Sequence, residues 1–199
     1  MKKFFLISLI TLISLGSTAY GKSYRAELNA GSSSVDGSFD AKYFIANGYT
    51  KVGLHGIYVD KDSKNYKLGD VKLMVGSETL YPGLQCELGF KGIYGTTETD
   101  DHGGDIGALA FAGRVAFVTP EKISPIPIEL WTELTGTPSP LSFIDLENYF
   151  DFRVGIGVYV VESARISVSY RYYQLNMAEG GDSWTLDDDM FMLGLAIEF

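Results

Sequence analysis

The side chains that most often perform acid–base chemistry are scarce in this sequence, which has only two histidines, His55 and His102. His102 stands in a glycine-rich segment with Asp100, Asp101 and Asp105, and an aspartate beside a histidine can support a general base. Neighbours within one loop are poorly preorganised, however, and no set of nucleophile, base and orienting group can be recognised around them. His55 falls on the charged side of a predicted strand. We therefore predict no catalytic residue and no enzymatic activity.

Carboxylates are the other abundant source of chemistry, and those outside the predicted strands fall mostly in two polar segments. They are Glu98, Asp100, Asp101, Asp105, Glu179, Asp182, Asp187, Asp188 and Asp189. Oxygen ligands at this density can bind divalent cations. Neither segment has a glycine and a terminal glutamate at the positions that a calcium loop requires, so solvated acidic loops are the preferred interpretation and no metal or cofactor is predicted. The net charge of −9 also argues against nucleic-acid binding.

Most of the remaining charged residues recur at alternate positions, with nine basic and nine acidic side chains on one face of the predicted strands. The basic ones are Arg25, Lys42, Lys51, Lys72, Lys91, Arg114, Arg153, Arg165 and Arg171. The acidic ones are Glu27, Asp40, Asp70, Glu78, Glu87, Glu129, Glu133, Asp151 and Glu198. Confined charges are costly unless they are paired. The equal numbers therefore predict an electrically balanced lumen with interlocking salt bridges.

The opposite face of the same segments is apolar, with a period of two that indicates β-strands rather than helices. Ten runs show it, within residues 24–30, 39–45, 52–58, 71–75, 84–94, 109–117, 126–134, 150–158, 166–172 and 191–199. None of the apolar positions carries a charge. The two faces therefore meet very different solvents. The single cysteine, Cys86, excludes an intramolecular disulfide and is interpreted as a small packing residue.

Connection lengths decide which face points outward. Those after the even-numbered runs are short: Asn47-Gly48, Tyr81-Pro82-Gly83, Thr119 to Pro125 and Val161 to Ser163. Those after the third, fifth, seventh and ninth runs are longer and polar: Asp60 to Lys67, Thr96 to Asp105, Thr135 to Asp145 and Gln174 to Asp189. This alternation is typical of outer-membrane barrels. We predict an all-β fold, a single transmembrane antiparallel up-and-down barrel of ten strands. Because Ser32 to Gly37 is short although it belongs to the long set, eight strands remain the alternative.

The N-terminal residues have the pattern of a secretory signal peptide. Met1-Lys2-Lys3 precedes an apolar stretch from Phe4 to Leu15 and the small residues Ser17-Thr18-Ala19. Twelve apolar residues are too few to span a bilayer as a helix. The sequence predicts a signal peptide over 1–19, with cleavage after Gly21 as the alternative, and one barrel domain over 20–199. We expect an exported protein of the cell outer membrane.

The last predicted strand resembles the C-terminal assembly signal that the barrel-assembly machinery recognises in outer-membrane proteins. Its apolar residues are Phe191, Leu193, Leu195, Ile197 and Phe199. The segments 128–133, 149–155 and 168–172 are similar to the YfaZ family of outer-membrane barrel proteins, over roughly residues 83–199. The resemblance implies the fold, the location and a porin-like character, and it assigns no binding residue.

Two functions are compatible with these predictions. A narrow pore for small solutes would use the charged face as its lining. The alternative is a non-conducting structural or surface-contact barrel whose salt bridges obstruct the bore, because barrels near this strand number have little room beyond their own side chains. The expected partners are outer-membrane lipid and, during biogenesis, the assembly machinery. The sequence leaves the solute and the oligomeric state open.

Overall fold

The structure, a computed structural model, describes residues 21–61, 64–78, 81–120, 122–179 and 182–199. The predicted signal peptide lies outside these residues. The strands are β1 Gly21–Ala30, β2 Ser34–Ile45, β3 Gly48–Lys61, β4 Lys64–Glu78, β5 Leu84–Thr99, β6 Gly103–Val118, β7 Ile128–Thr137, β8 Ser142–Ile144, β9 Leu146–Val161, β10 Ala164–Glu179 and β11 Asp182–Glu198. A 3-10 helix over Ser139–Leu141 lies between β7 and β8.

Ten of these strands close into an antiparallel up-and-down barrel. Each pairs with its neighbour along the chain, with β7 between β6 and β9, and β1 closes the ring by pairing with β11 over Arg25 to Ala30. The predicted ten-stranded barrel is therefore confirmed, and the eight-stranded alternative is wrong. The three-residue β8 continues along β6 beyond the end of β7, after Pro138 and Pro140, which cannot donate to a ladder, interrupt the strand.

The outside of the barrel is apolar over its middle. Leu54, Leu88 and Phe191 expose 57%, 69% and 69% of their surface, as do many other side chains on the predicted apolar face. The charged face points inward. This arrangement is the reverse of that in a water-soluble ligand carrier and is the layout of a transmembrane barrel. Among the described residues, no helix has the length and apolarity to cross a bilayer.

The predicted long connections are wrong in one respect, because most of their residues continue the strands. β3 runs to Lys61 and β4 begins at Lys64, β5 runs to Thr99, and β10 runs to Glu179. The ladder hydrogen bonds continue past the apolar band, where the outward side chains become polar and no longer show the pattern used for the prediction. The two ends of the barrel still differ, because the strands extend beyond the bilayer on one side. They contain up to 17 residues, whereas about 9–11 suffice to cross a bilayer.

The barrel thus has two distinct ends. We call the end with the connections β2–β3, β4–β5, β6–β7 and β9–β10 the turn end, and the end with the extended hairpins β3–β4, β5–β6 and β10–β11 the hairpin end. Towards the hairpin end, the interior is filled by a buried apolar cluster that we call the apolar plug. Its members are Ile57, Val59, Tyr66, Leu68, Ile93, Ile106, Ala108, Ala110, Leu146, Tyr149, Tyr173, Leu175, Met177, Leu186, Met190 and Met192.

Candidate lumenal site

The structure places the predicted lumenal charges inside the barrel and brings nearly all of them together. Within the described residues, each one except Lys42 and Glu78 lies within 4.0 Å of an oppositely charged group or, for Asp70, of the His55 ring. Glu78, at the turn end, is exposed and accepts a hydrogen bond from the Gly83 backbone N–H at 2.5 Å. The period of two thus located these residues, although it could not pair them.

Glu129 on β7 is the centre of the charge network near the turn end. Its carboxylate accepts hydrogen bonds from Arg114 at 2.7 Å, from Arg165 at 2.5 Å and from the Tyr159 hydroxyl at 3.0 Å. Arg25 approaches it to 4.0 Å. Side chains from four strands besides β7 therefore meet at one buried carboxylate. Their donors saturate its oxygens, which compensates the cost of burying the charge.

Further ion pairs join strands that are separated by one or two others in the ring. Glu27 accepts a hydrogen bond from Arg165 at 2.7 Å and another from Arg153 at 3.3 Å, which links β1 with β10 and β9. Other pairs of this kind are Lys51 with Glu87, Lys91 with Glu133 at 2.6 Å, and Lys72 with Asp40 at 2.8 Å. Most of these side chains are less than a fifth exposed, so solvent screens them little.

Asp36 is a member of the network that the sequence analysis missed, since it falls in the segment predicted as the first connection. It lies in β2, and its carboxylate is fully buried. Arg171 donates to it at 2.5 Å, His55 Nε2 lies 2.7 Å away and Arg153 approaches to 3.8 Å. Asp36 lies an even number of residues from Asp40, so the alternation would have placed it on the inward face. That inference needs β2 to begin at Ser34, before the predicted start of the strand.

The His55 ring is held between two carboxylates. Its Nδ1 lies 2.6 Å from Asp70, and its Nε2 lies 2.7 Å from Asp36. Arg171 completes the cluster with hydrogen bonds to Asp151 at 3.0 and 2.9 Å. A neutral imidazole can donate from only one nitrogen, so the protonated ring is the form that satisfies both contacts. The polar role predicted for His55 agrees with this position inside the barrel.

The apolar plug lies directly above this cluster, towards the hairpin end. The guanidinium of Arg171 lies 4.3 Å from the centre of the Tyr173 ring, which in turn packs against Tyr66 and Tyr149 at centroid distances of 5.9 and 6.1 Å. Above the plug, Asp188 receives a hydrogen bond from the Tyr66 hydroxyl at 2.8 Å. The sequence predicts the ion-paired lumen but not this apolar filling.

Two glycines of β9 make room for the largest side chains of the charge network. A Cβ at Gly155 would lie 2.6 Å from the Trp131 ring, and one at Gly157 would lie 2.7 Å from Arg165. The Trp131 ring also carries the guanidinium of Arg153 at 4.8 Å from its centre. These close approaches allow the layer to fill the bore.

The cavities follow from this packing. A vestibule of about 660 Å³ opens at the turn end. Within the charged layer, two small voids of about 40 and 20 Å³ lie between the described residues. Those volumes correspond to a few water molecules at most. The bore of the described barrel is therefore filled first by ion pairs and then by the apolar plug.

The loop candidates for chemistry are not assembled into a site. The ring of His102 stacks on Trp184 at 5.6 Å, and the hydrogen bonds of the His102 backbone go to Thr99. Among the residues that the structure describes, no group of three or more histidines, cysteines or acidic residues is placed to hold a metal ion. The absence of enzymatic activity stays a prediction.

Together, the closed ring, the apolar exterior and the ion-paired interior define a transmembrane β-barrel of ten strands. No family model and no curated protein matches the chain, so the resemblance to the YfaZ family stays a prediction. Several solved structures are similar in shape. The translocator domain of the autotransporter NalP from Neisseria meningitidis is 8% identical, with 98% of this chain and 96% of that chain covered and a TM-score of 0.42. The CymD monoaromatic hydrocarbon channel is 8% identical, with 92% of this chain and 72% of that chain covered and a TM-score of 0.41. The NanC porin is 10% identical, with 89% of this chain and 99% of that chain covered and a TM-score of 0.36. Identities and TM-scores this low carry no argument about function.

Proposed function

We propose that the protein is an outer-membrane barrel whose bore is closed to solutes, and which contributes to the envelope as a structural or surface-contact protein. The single observation that carries the closure is the apolar plug, which fills the interior on the hairpin side of the charge network. An ion would have to leave water and cross buried tyrosine, leucine and methionine side chains. That transfer is far more costly than passage along a hydrated, charged lining.

The location is supported by four features. Exposed leucine, valine and phenylalanine side chains surround the barrel, and hydrocarbon is the solvent that accommodates them. The N-terminal residues have the pattern of a signal peptide, and the last strand resembles an assembly signal. A closed barrel satisfies every ladder hydrogen bond without water, as a membrane requires.

The rival function is the narrow pore for small solutes. It would need the charge network to part and the apolar plug to move, and both changes would separate groups that the structure shows in contact. Planar-bilayer conductance of the refolded protein tests the two functions directly. We expect no conductance steps above the background of the bare membrane. Stable steps from the unmodified protein would establish the pore and would contradict the closed barrel.

A variant identifies the plug as the cause of closure. Tyr173→Ala, Leu175→Ala and Met177→Ala together remove three large side chains that are fully buried in the plug. The matched control replaces their outward neighbours on the same strand, Tyr172, Gln174 and Asn176, by alanine. We expect the first variant to show more frequent openings than the control. If the first variant conducts no better than the control, the charge network alone closes the bore.

A further inference from the structure

The vestibule at the turn end is a blind cavity rather than the mouth of a channel. Its inner surface is the charge network around Glu129, which contains small voids of about 40 and 20 Å³. Its volume of about 660 Å³ lies within the range of small-molecule sites. A cavity that is open at one end and closed at the other can hold a ligand without passing it on.

The carboxylates around the vestibule are already occupied by donors. Glu129 accepts from Arg114, Arg165 and Tyr159. Glu198 accepts from Ser23 at 2.6 Å and from Arg25 at 3.2 Å. Glu78 accepts from the backbone of Gly83. Glu129, the most buried carboxylate of the lining, therefore has little capacity left for a cationic ligand.

The basic groups are not occupied to the same extent. Lys42 lines the vestibule, and no carboxylate of the described residues lies within 4.0 Å of its ammonium. The ammonium instead lies 4.4 Å from the centre of the Tyr49 ring and 6.0 Å from that of Phe44. Arg114 uses one guanidinium nitrogen for Glu129, and its other terminal nitrogen approaches a carboxylate only to 3.8 Å. A guanidinium has five N–H donors, so donor capacity remains.

We propose that this vestibule binds a small organic anion, a carboxylate on a flat apolar body, with Lys42 as the principal counter-charge and Arg114 as a second donor. The anion would supply the acceptor that Lys42 lacks. Phe44 and Tyr159 line the same cavity and offer aromatic surface to the body of the ligand. Binding would occur at the turn end and would need no opening of the bore.

The test uses three probes of the same shape and different charge: benzoate, benzamide and benzylamine. Each is titrated calorimetrically into the refolded full barrel in detergent. We expect benzoate to bind at least tenfold more tightly than the neutral and the cationic probe, because a hydrogen bond to a charged group is worth about 1.5–3 kcal/mol. Equal affinities for the three probes, or tighter binding of benzylamine, would overturn the proposal.

The variant Lys42→Gln tests whether the binding occurs in the vestibule. Any partitioning of the probes into the detergent is the same for the variant and the unmodified protein, so it does not affect the difference between them. We expect the substitution to weaken benzoate binding about tenfold or more. The matched control is Lys22→Gln, because Lys22 is an exposed lysine near the same end, with its ammonium 5.7 Å from the Tyr43 ring. Equal losses in the two variants would overturn the site. The inference rests on the filled bore of the proposed function, but calorimetry and conductance are separate measurements. A closed barrel that fails to bind benzoate overturns the vestibule site alone, and a conducting barrel that binds benzoate overturns the closed barrel alone.

Discussion

At the scale of single residues, Asp36 shows how one carboxylate can join distant strands. It lies on β2 and contacts His55 on β3, Arg153 on β9 and Arg171 on β10. These strands lie on opposite sides of the closing pair β1–β11. Asp36 therefore holds together the two parts of the wall that the last ladder joins.

We predict that Asp36→Ala destabilises the barrel strongly. Removing one partner of a buried charge network typically costs about 3–5 kcal/mol, since the remaining charges lose their compensation. Of their carboxylate partners among the described residues, Arg171 would keep Asp151, and His55 would keep Asp70. The measurement is the temperature of incubation in SDS at which the folded, fast-migrating form disappears from the gel.

The control for this prediction is Glu147→Ala, which removes an exposed carboxylate on β9. We expect it to leave the melting temperature nearly unchanged, as exposed charges contribute little. A melting temperature for Asp36→Ala equal to that of the control would show that the cluster contributes nothing to stability.

Sequence periodicity located the lumenal residues far better than it described their contacts. Parity along a strand decides whether a side chain points inward, so Arg153 and Glu27 could both be placed inside. Their meeting depends on the stagger and tilt of strands that are far apart in the chain, which no local pattern contains. Lys42 had the same parity as the paired residues and has no ion-pair partner among the described ones. Only the three-dimensional arrangement distinguishes it from them.

At the scale of the strand, the apolar face of β10 changes from the outside of the barrel to the inside. Val168 points outward, and Arg171 points inward, as in the predicted pattern. Nearer the hairpin end, Leu175 and Met177 point inward, and their polar neighbours point outward. The outer surface there meets water, while the interior is filled by the apolar plug.

This reversal explains why the extended hairpins were interpreted as loops. The prediction requires the apolar residues to stay on the same face along the whole strand. That rule fails where the strand leaves the bilayer. A rule that accepts either parity would have continued β10 to Glu179. It would also have identified Tyr173 and Met177 as interior residues.

The end of β11 supports another prediction. Phe199 exchanges two backbone hydrogen bonds of 2.8 Å with Tyr24, and its ring stacks on the Tyr24 ring at 5.8 Å. We predict that Phe199→Asp reduces the amount of assembled protein in the membrane several-fold, because it places a charge at the closing seam. The measurement is the fraction of heat-modifiable protein in isolated membranes.

Ile123→Asp is the matched control for the seam. Ile123 lies in the connection between β6 and β7 at the same end and is about as exposed, at 60% against 67% for Phe199. We expect this variant to assemble like the unmodified protein. Equal membrane yields for the two variants would count against an assembly role for the C-terminal strand.

At the scale of the whole molecule, closure of the ladder makes unfolding cooperative, since each of the ten barrel strands that the structure describes pairs with a neighbour on both sides. We predict that the protein fractionates with outer membranes and migrates faster on SDS gels before boiling than after it. Recovery of the folded protein in the soluble periplasmic fraction would refute the membrane assignment.

The filled bore also bears on how many copies a cell could tolerate. Every open channel adds to the leakage of small metabolites and to the entry of toxic compounds, so the permeability of a membrane rises with the abundance of its channels. Under the proposed function, a barrel sealed by Tyr66, Tyr173 and their apolar neighbours would add protein to the membrane without adding leakage. Its abundance could therefore be set by mechanical or adhesive demand, independently of nutrient supply.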